Sequence, residues 1–157
     1  MKVLVVAVGR VKGALADAVA DYEARAGRYW KLEVVEVAAG VKGSTSAPGA
    51  RVMEAEAERI LARLPAGLDV VALTRDGRGM SSRELAAHLQ ELGTRSAPGV
   101  AFVIGGAFGL GDAVLGKAAR KLSLSALTLP HEMARLVLAE QLYRAGTIVR
   151  GEPYHKA

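Results

Sequence analysis

The residues best suited to chemistry are clustered in Gly151-Glu152-Pro153-Tyr154-His155-Lys156-Ala157. An imidazole titrates near neutral pH, so His155 is the candidate for moving a proton. Tyr154 can stack on a ring or hydrogen-bond to it. Lys156 adds a cation able to grip a phosphate, although a disordered basic tail has the same composition. A second group is suited to holding a small ligand. Residues 101–111 read Ala-Phe-Val-Ile-Gly-Gly-Ala-Phe-Gly-Leu-Gly, a buried strand running into a glycine-rich turn. Residues 122–130 read Leu-Ser-Leu-Ser-Ala-Leu-Thr-Leu-Pro, a short strand running into a loop that Pro130 stops. Loops at strand ends are where an α/β protein holds a small ligand. Glycine permits positive φ and lets a ligand approach the backbone, although a tight turn with no ligand has the same composition.

Other motifs are weaker. His88 falls within a predicted helix, and His131 lies at a helix start where it serves the terminus. No histidines and carboxylates have metal-ligand spacing, and there is no cysteine, so a metal site, a disulfide and a thiol nucleophile are not expected. There is no G-x-S-x-G element of a serine hydrolase. Val41-Lys42-Gly43-Ser44-Thr45 holds the residues of a phosphate loop in the wrong order. Gly9-Arg10-Val11-Lys12-Gly13 follows the first predicted strand, and Glu36 ends the second, about where an acid would grip a ribose. That arrangement keeps a nucleotide-binding oxidoreductase open. The turn lacks the G-x-G-x-x-G order, however, and Arg10 and Lys12 suit a phosphate or RNA equally well.

The elements that must position these groups alternate along the chain. Lys2–Val8 is apolar almost without a break, as in strands covered on both faces. Strands are also predicted at Leu32–Val37, Asp69–Leu73, Val100–Ile104 and Leu122–Ser125. Helices are predicted over Ala14–Ala26, Ala50–Leu64, from Ser81 to Leu92, from Asp112 to about Arg120, and from His131 to Thr147. Ser81-x-x-Glu84 is a capping box, Asp112 is the expected cap of its helix, and Pro130 opens the last one. Residues 38–49, rich in glycine and serine, read as a mobile loop. This pattern predicts an α/β fold: a five-stranded, mostly parallel sheet with helices on both faces. In the last helix the polar residues are scattered around the axis, so it is buried on more than one side, within its own core or against a second copy of the chain.

The chain of 157 residues is expected to form one domain spanning 1–157. Half of its residues are hydrophobic, yet no apolar run is long enough to span a membrane. The apolar opening is too short for a signal peptide, and absence of cysteine fits the cytoplasm. Twenty-one Lys and Arg against 16 Asp and Glu leave a net charge of +5, which favours a polyanionic partner.

Taken together, Phe102-Val-Ile-Gly-Gly106 with Gly109-Leu110, Leu124-Ser-Ala-Leu-Thr-Leu-Pro-His131, Leu142-Tyr-Arg-Ala145 and Pro153-Tyr-His-Lys156 resemble the ribosomal RNA large subunit methyltransferase H family. Val6-Ala-Val-Gly9 and Tyr22-Glu23 with Arg25 match as well, and the resemblance covers the whole length. It is weakest in residues 38–49 and at Ala107-Phe108. The family methylates N3 of a pseudouridine and belongs to the SPOUT class, whose sheet carries a C-terminal trefoil knot. The resemblance implies a homodimer that contacts through the last helix and works on ribosomal RNA or the ribosome. It implies S-adenosylmethionine as cofactor, bound by Leu73, Gly105 and the run Leu124, Ser125, Ala126, Leu127, Thr128 and Leu129. On that reading His155 takes the imide proton, Tyr154 stacks on or hydrogen-bonds the base, and Lys156 and Arg144 hold phosphate or the anion. The tail equally suits closing over the cofactor. A non-catalytic RNA-binding module remains the other alternative.

Overall fold

The computed structural model describes residues 1–155. Its strands are β1 (Lys2–Val8), β2 (Lys31–Val37), β3 (Asp69–Gly79), β4 (Gly99–Ile104) and β5 (Arg120–Ser123). They form one sheet in the order β2-β1-β4-β3-β5, and every pairing is parallel. The helices are α1 (Ala16–Ala26), α2 (Gly49–Leu61), α3 (Ser82–Thr94), α4 (Asp112–Lys117) and α5 (His131–Val149). A 3₁₀ turn over Gly13–Leu15 leads into α1, and another, Pro153–His155, follows α5.

Side chains alternate across a strand, and here the alternation divides two cores. Val3, Val5 and Ala7 of β1 face α1, α3 and α5 together with Phe102, Leu85, Leu89, Leu138 and Leu142. Leu4, Val6 and Val8 face α2 and α4 with Val103, Ala57, Ile60 and Val114. The central strand β4 is buried throughout, which is why its sequence is uninterrupted by charge. The edge strand β2 exposes Lys31, Glu33 and Glu36.

Several boundaries differ from expectation, each for a local reason. The strand expected to stop at Leu73 runs on to Gly79. Leu73 and Arg78 both register with Leu122, so residues 74–77 bulge out of the ladder. The polar run Thr74-Arg75-Asp76 hides that continuation in the sequence. Strand β5 starts two positions earlier than expected, at Arg120. The cap of α4 is Gly111, with Asp112 already helical in the first turn, where a carboxylate favours the helix dipole. The capping box holds: Ser81 Oγ accepts from the Glu84 amide at 3.1 Å, and Glu84 Oε2 accepts from the Ser81 amide at 2.6 Å.

The segment expected to be a mobile loop is anchored at its start. Arg59 of α2 donates to the carbonyls of Ala38 and Gly40, and Glu56 accepts from the Gly40 amide at 2.7 Å. On α5, Leu138 and Leu142 are each 1% exposed and belong to the chain's own core. Arg135 lies buried beneath the helix, with Nε 2.9 Å from Glu23 and Nη1 on Glu36. The other apolar side of α5, with Met133, Leu136 and Val137, remains half-buried.

Candidate active site

The C-terminal ends of β3, β4 and β5 and the start of α5 enclose a crevice of about 410 Å³. Leu73 and the bulge residues Thr74, Arg75 and Asp76 line one side. The turn from Gly105 to Leu110 lines another, and Leu124, Ser125, Leu127, Thr128 and Leu129 close it from the β5 side, with His131 and Ala134 at the base of α5. This is where an open parallel sheet takes ligands. Of the residues expected to bind a cofactor, all line the crevice except Ala126, which is exposed.

The two loops are built differently. In the glycine turn, the Gly109 amide donates to the Gly106 carbonyl at 3.0 Å, and Gly109 takes the positive φ of 86°. Gly105 is needed for proximity: a Cβ there stands 2.8 Å from the Gly109 carbonyl carbon and 3.1 Å from Leu110 Cδ2. Gly106 packs on α2, where a Cβ stands 3.0 Å from Glu56 Oε1. The β5 loop is organised by its serines. Ser123 Oγ lies 2.9 Å from the carbonyls of both Arg75 and Ser125, which share its one proton, and Ser125 Oγ accepts from the Leu127 amide at 2.9 Å. Arg75 Nη1 donates to Thr128 Oγ1 at 2.9 Å and so ties the bulge to this loop.

The crevice has apolar walls, and one polar atom in the bulge beside it is unmet. Leu73, Ile104, Leu115 and Leu124 supply the walls. Thr74 Oγ1 is buried without a hydrogen-bond partner among the described residues. Buried polar groups left unpaired are costly and point to a missing partner. This donor set fits a ligand with an apolar ring system and a polar edge read by backbone groups.

Tyr154 is not at this crevice in the same chain. Tyr154 packs on Tyr143, with ring centroids 4.5 Å apart, and the Arg144 guanidinium sits 4.9 Å above the Tyr154 ring. Arg144 also pairs with Glu140, its Nε donating at 2.7 Å, and this contact raises its pKa. Burial first, then a hydrogen bond with Tyr22, pushes the Tyr154 hydroxyl up to about 12, so it stays protonated at neutral pH. Between His131 at the crevice and Arg144, α5 rises about 20 Å at 1.5 Å per residue. Tyr154 and Arg144 therefore lie together, and far from Leu73, Gly105 and residues 124–129. His155 ends the 3₁₀ turn, and Lys156 lies outside the described residues.

Sequence reasoning missed three residues here. His131, expected to serve the helix terminus, lines the crevice and lies 2.9 Å from Glu132; its place directly after the Pro130 stop was the available signal. Thr74 was hidden by the bulge. Glu56 is 2% exposed, with Oε1 unpartnered. Its position inside an amphipathic face otherwise made of Val52, Ala57 and Ile60 was legible. Glu36, the candidate for gripping a ribose, is occupied by Arg135.

A parallel sheet with a ligand-sized crevice at its strand ends, built from a glycine turn and a serine-organised loop, narrows the class. The sequence matches the family described as "Predicted SPOUT methyltransferase" over residues 1–155, and the chain belongs to that family. The family implies the knot expected at the C-terminal end. Among named relatives, the Ribosomal RNA large subunit methyltransferase H of Gemmatimonas aurantiaca is 56% identical over 157 residues, covering 99% of this chain and all of that one. The protein of the same name from Syntrophotalea carbinolica is 47% identical over 156 residues and 99% of each chain. The one from Listeria monocytogenes serotype 4a is 45% identical over 159 residues, 99% of this chain and 100% of that one. Among solved structures, a probable methyltransferase from Bordetella pertussis shares the fold with a TM-score of 0.55 at 22% identity, covering 91% of this chain and 95% of that one.

Proposed function

We propose that this chain transfers a methyl group from S-adenosylmethionine to N3 of a pseudouridine in large-subunit ribosomal RNA, on the assembled ribosome and therefore in the cytoplasm. The observation that carries the proposal is the 56% identity, end to end, with a protein named for that class of RNA. The net charge of +5 suits a polyanionic substrate. Neither alternative has comparable support: Glu36 is engaged by Arg135 and unavailable to a ribose, and the crevice gives a methyltransferase a place to work.

Bound in the crevice, S-adenosylmethionine supplies an electrophilic methyl group on a sulfonium. Leu73, Gly105 and residues 124–129 hold and orient it, the backbone of the β5 loop reading its polar edge and the apolar walls excluding water. The substrate nitrogen carries a proton that must leave before or during attack, so the protein must position the base, remove that proton and steady the charge. His155 takes the proton, Tyr154 presents a neutral hydroxyl and an aromatic face, and Arg144 and Lys156 hold the anion or a phosphate.

The separation along α5 bears on who supplies the tail. Tyr154 is pinned by Tyr143 and Arg144, about 20 Å from the crevice of its own chain. A second copy can bring its tail there, and the half-buried Met133, Leu136 and Val137 of α5 offer an apolar contact for it. The working unit we propose is a homodimer with each site shared between chains. Leu136→Asp is expected to yield a folded monomer by sedimentation. Leu138→Asp, by contrast, places a charge in the chain's own core and costs more than about 3 kcal/mol, enough to prevent folding. A folded dimer from Leu136→Asp contradicts this interface.

The function itself is tested by supplying methyl-labelled S-adenosylmethionine with intact ribosomes or with naked ribosomal RNA. Label is expected in large-subunit RNA from ribosomes, well above that from naked RNA. No incorporation from either overturns the proposal.

A further inference from the structure

A second cavity, of about 650 Å³, adjoins the crevice. Its lining includes Gly9, Arg10, Lys12, Glu36, His131 and Glu132. His131 lines both spaces and forms the wall between them. Gly9 lies against that wall. It takes φ 78° and donates to the Val37 carbonyl at 2.8 Å, and a Cβ on it stands 3.3 Å from His131 Cε1. The turn after β1 is thereby held against the imidazole, with Arg10 and Lys12 carried just beyond it.

The charges in this cavity are unequally engaged. Glu36 is paired with Arg135, and Glu132 lies 2.9 Å from His131 Nε2. Arg10 and Lys12 are exposed and have no hydrogen-bond or ion-pair partner among the described residues. Arg135 answers Glu36, whereas Arg10 and Lys12 have no such partner, so two free cations stand in the cavity wall. An unpaired guanidinium and an ammonium at a concave surface match a phosphate, which the arginine fork can take with two hydrogen bonds.

We propose that this cavity seats a backbone phosphate of the target nucleotide, with Arg10 and Lys12 as its contacts, and that the attached base passes His131 to reach the methyl donor. The inference rests on the function proposed above and adds to it the place where RNA is gripped. It also explains the basic turn Gly9–Gly13, which has no role in the crevice itself. A chain bound this way runs from the end of β1 to the end of β4, across the point where the sheet order turns from β2-β1 to β4-β3.

The test uses the full chain and bacterial ribosomes from a strain lacking its own enzyme of this kind. Binding of wild type and the double variant Arg10→Glu, Lys12→Glu is followed by sedimentation at several salt concentrations. The double variant is expected to bind at least tenfold more weakly in moderate salt. Its slope of log affinity against log salt is expected to be shallower by about 0.7, the contribution of the one single-strand phosphate that is no longer neutralised. S-adenosylmethionine affinity by calorimetry should be unchanged, and Arg10→Lys with Lys12→Arg should bind nearly as wild type. Both substituted side chains are exposed, so folding is not at issue. Unchanged ribosome affinity and slope overturn the inference. A wild type that binds ribosomes in this manner but methylates nothing refutes the proposed function alone and leaves the phosphate seat supported. A wild type that does not bind ribosomes refutes both.

Discussion

Gly105→Ala lowers S-adenosylmethionine affinity at least tenfold while the chain stays folded. The cause is the turn's own backbone. A methyl group at Gly105 stands 2.8 Å from the Gly109 carbonyl carbon and 3.0 Å from its oxygen, inside any ordinary contact distance. These are backbone atoms of a turn closed by the Gly109–Gly106 hydrogen bond, so no flexible side chain can swing away. The turn must open, at a cost of about 1–3 kcal/mol for overpacking, and its crevice side moves with it. The strain is confined to a strand-end loop, since β4 below it keeps its ladder to β1 and β3. Gly105→Val should lose binding altogether. Calorimetry reads the affinity and thermal unfolding confirms the fold. Unchanged affinity in Gly105→Ala contradicts the assignment of this crevice to the methyl donor.

Removing His155–Ala157 is expected to abolish methyl transfer and leave both the dimer and cofactor binding intact. Tyr154 is kept because its ring is part of a cluster with Tyr143, Tyr22 and Arg144, and losing it costs packing. The three crevice loops are untouched. His155→Ala alone should slow transfer by about a hundredfold, the lower end of what a positioned general base contributes. Raising the pH should recover part of the rate, since hydroxide can replace the missing base. Tyr154 cannot cause that recovery near neutrality, because its pKa is pushed up to about 12. Mixed dimers separate a shared site from a self-contained one. Chains lacking the tail, paired with Gly105→Val chains, hold one intact crevice opposite one intact tail. Activity in the mixture, absent from either parent, is expected. A mixture as inactive as its parents contradicts the shared site, and truncated protein with full activity contradicts any role for the tail.

Much of the framework was legible because period-two and helical patterns survive in the sequence. The apolar run Lys2–Val8 and the run ending at Ile104 read as strands buried on both faces and are the neighbouring interior strands β1 and β4. The glycine turn and the Leu124–Leu129 loop were legible as strand ends, and the structure brings them together with Leu73. Three-dimensional relations were not. The bulge at residues 74–77 has the composition of a turn, and only pairing of both Leu73 and Arg78 with Leu122 reveals a continued strand. The distance between Tyr154 and the crevice depends on how far α5 carries the chain from His131, which no local spacing encodes. Composition suggests a positive φ for the glycines of the turn alike, whereas Gly109 takes that conformation and Gly105 serves close approach. His131 and Arg10 belong to different segments, and only the fold makes them neighbours of one cavity.

Ribosomes from a bacterial strain lacking the activity are incubated with this protein and methyl-labelled S-adenosylmethionine, and large-subunit RNA is digested to nucleosides and resolved by mass spectrometry. The label is expected in a single product, a pseudouridine heavier by one methyl group whose fragmentation places that methyl on the base, at N3. Label in a ribose, in another base or in ribosomal protein contradicts the account.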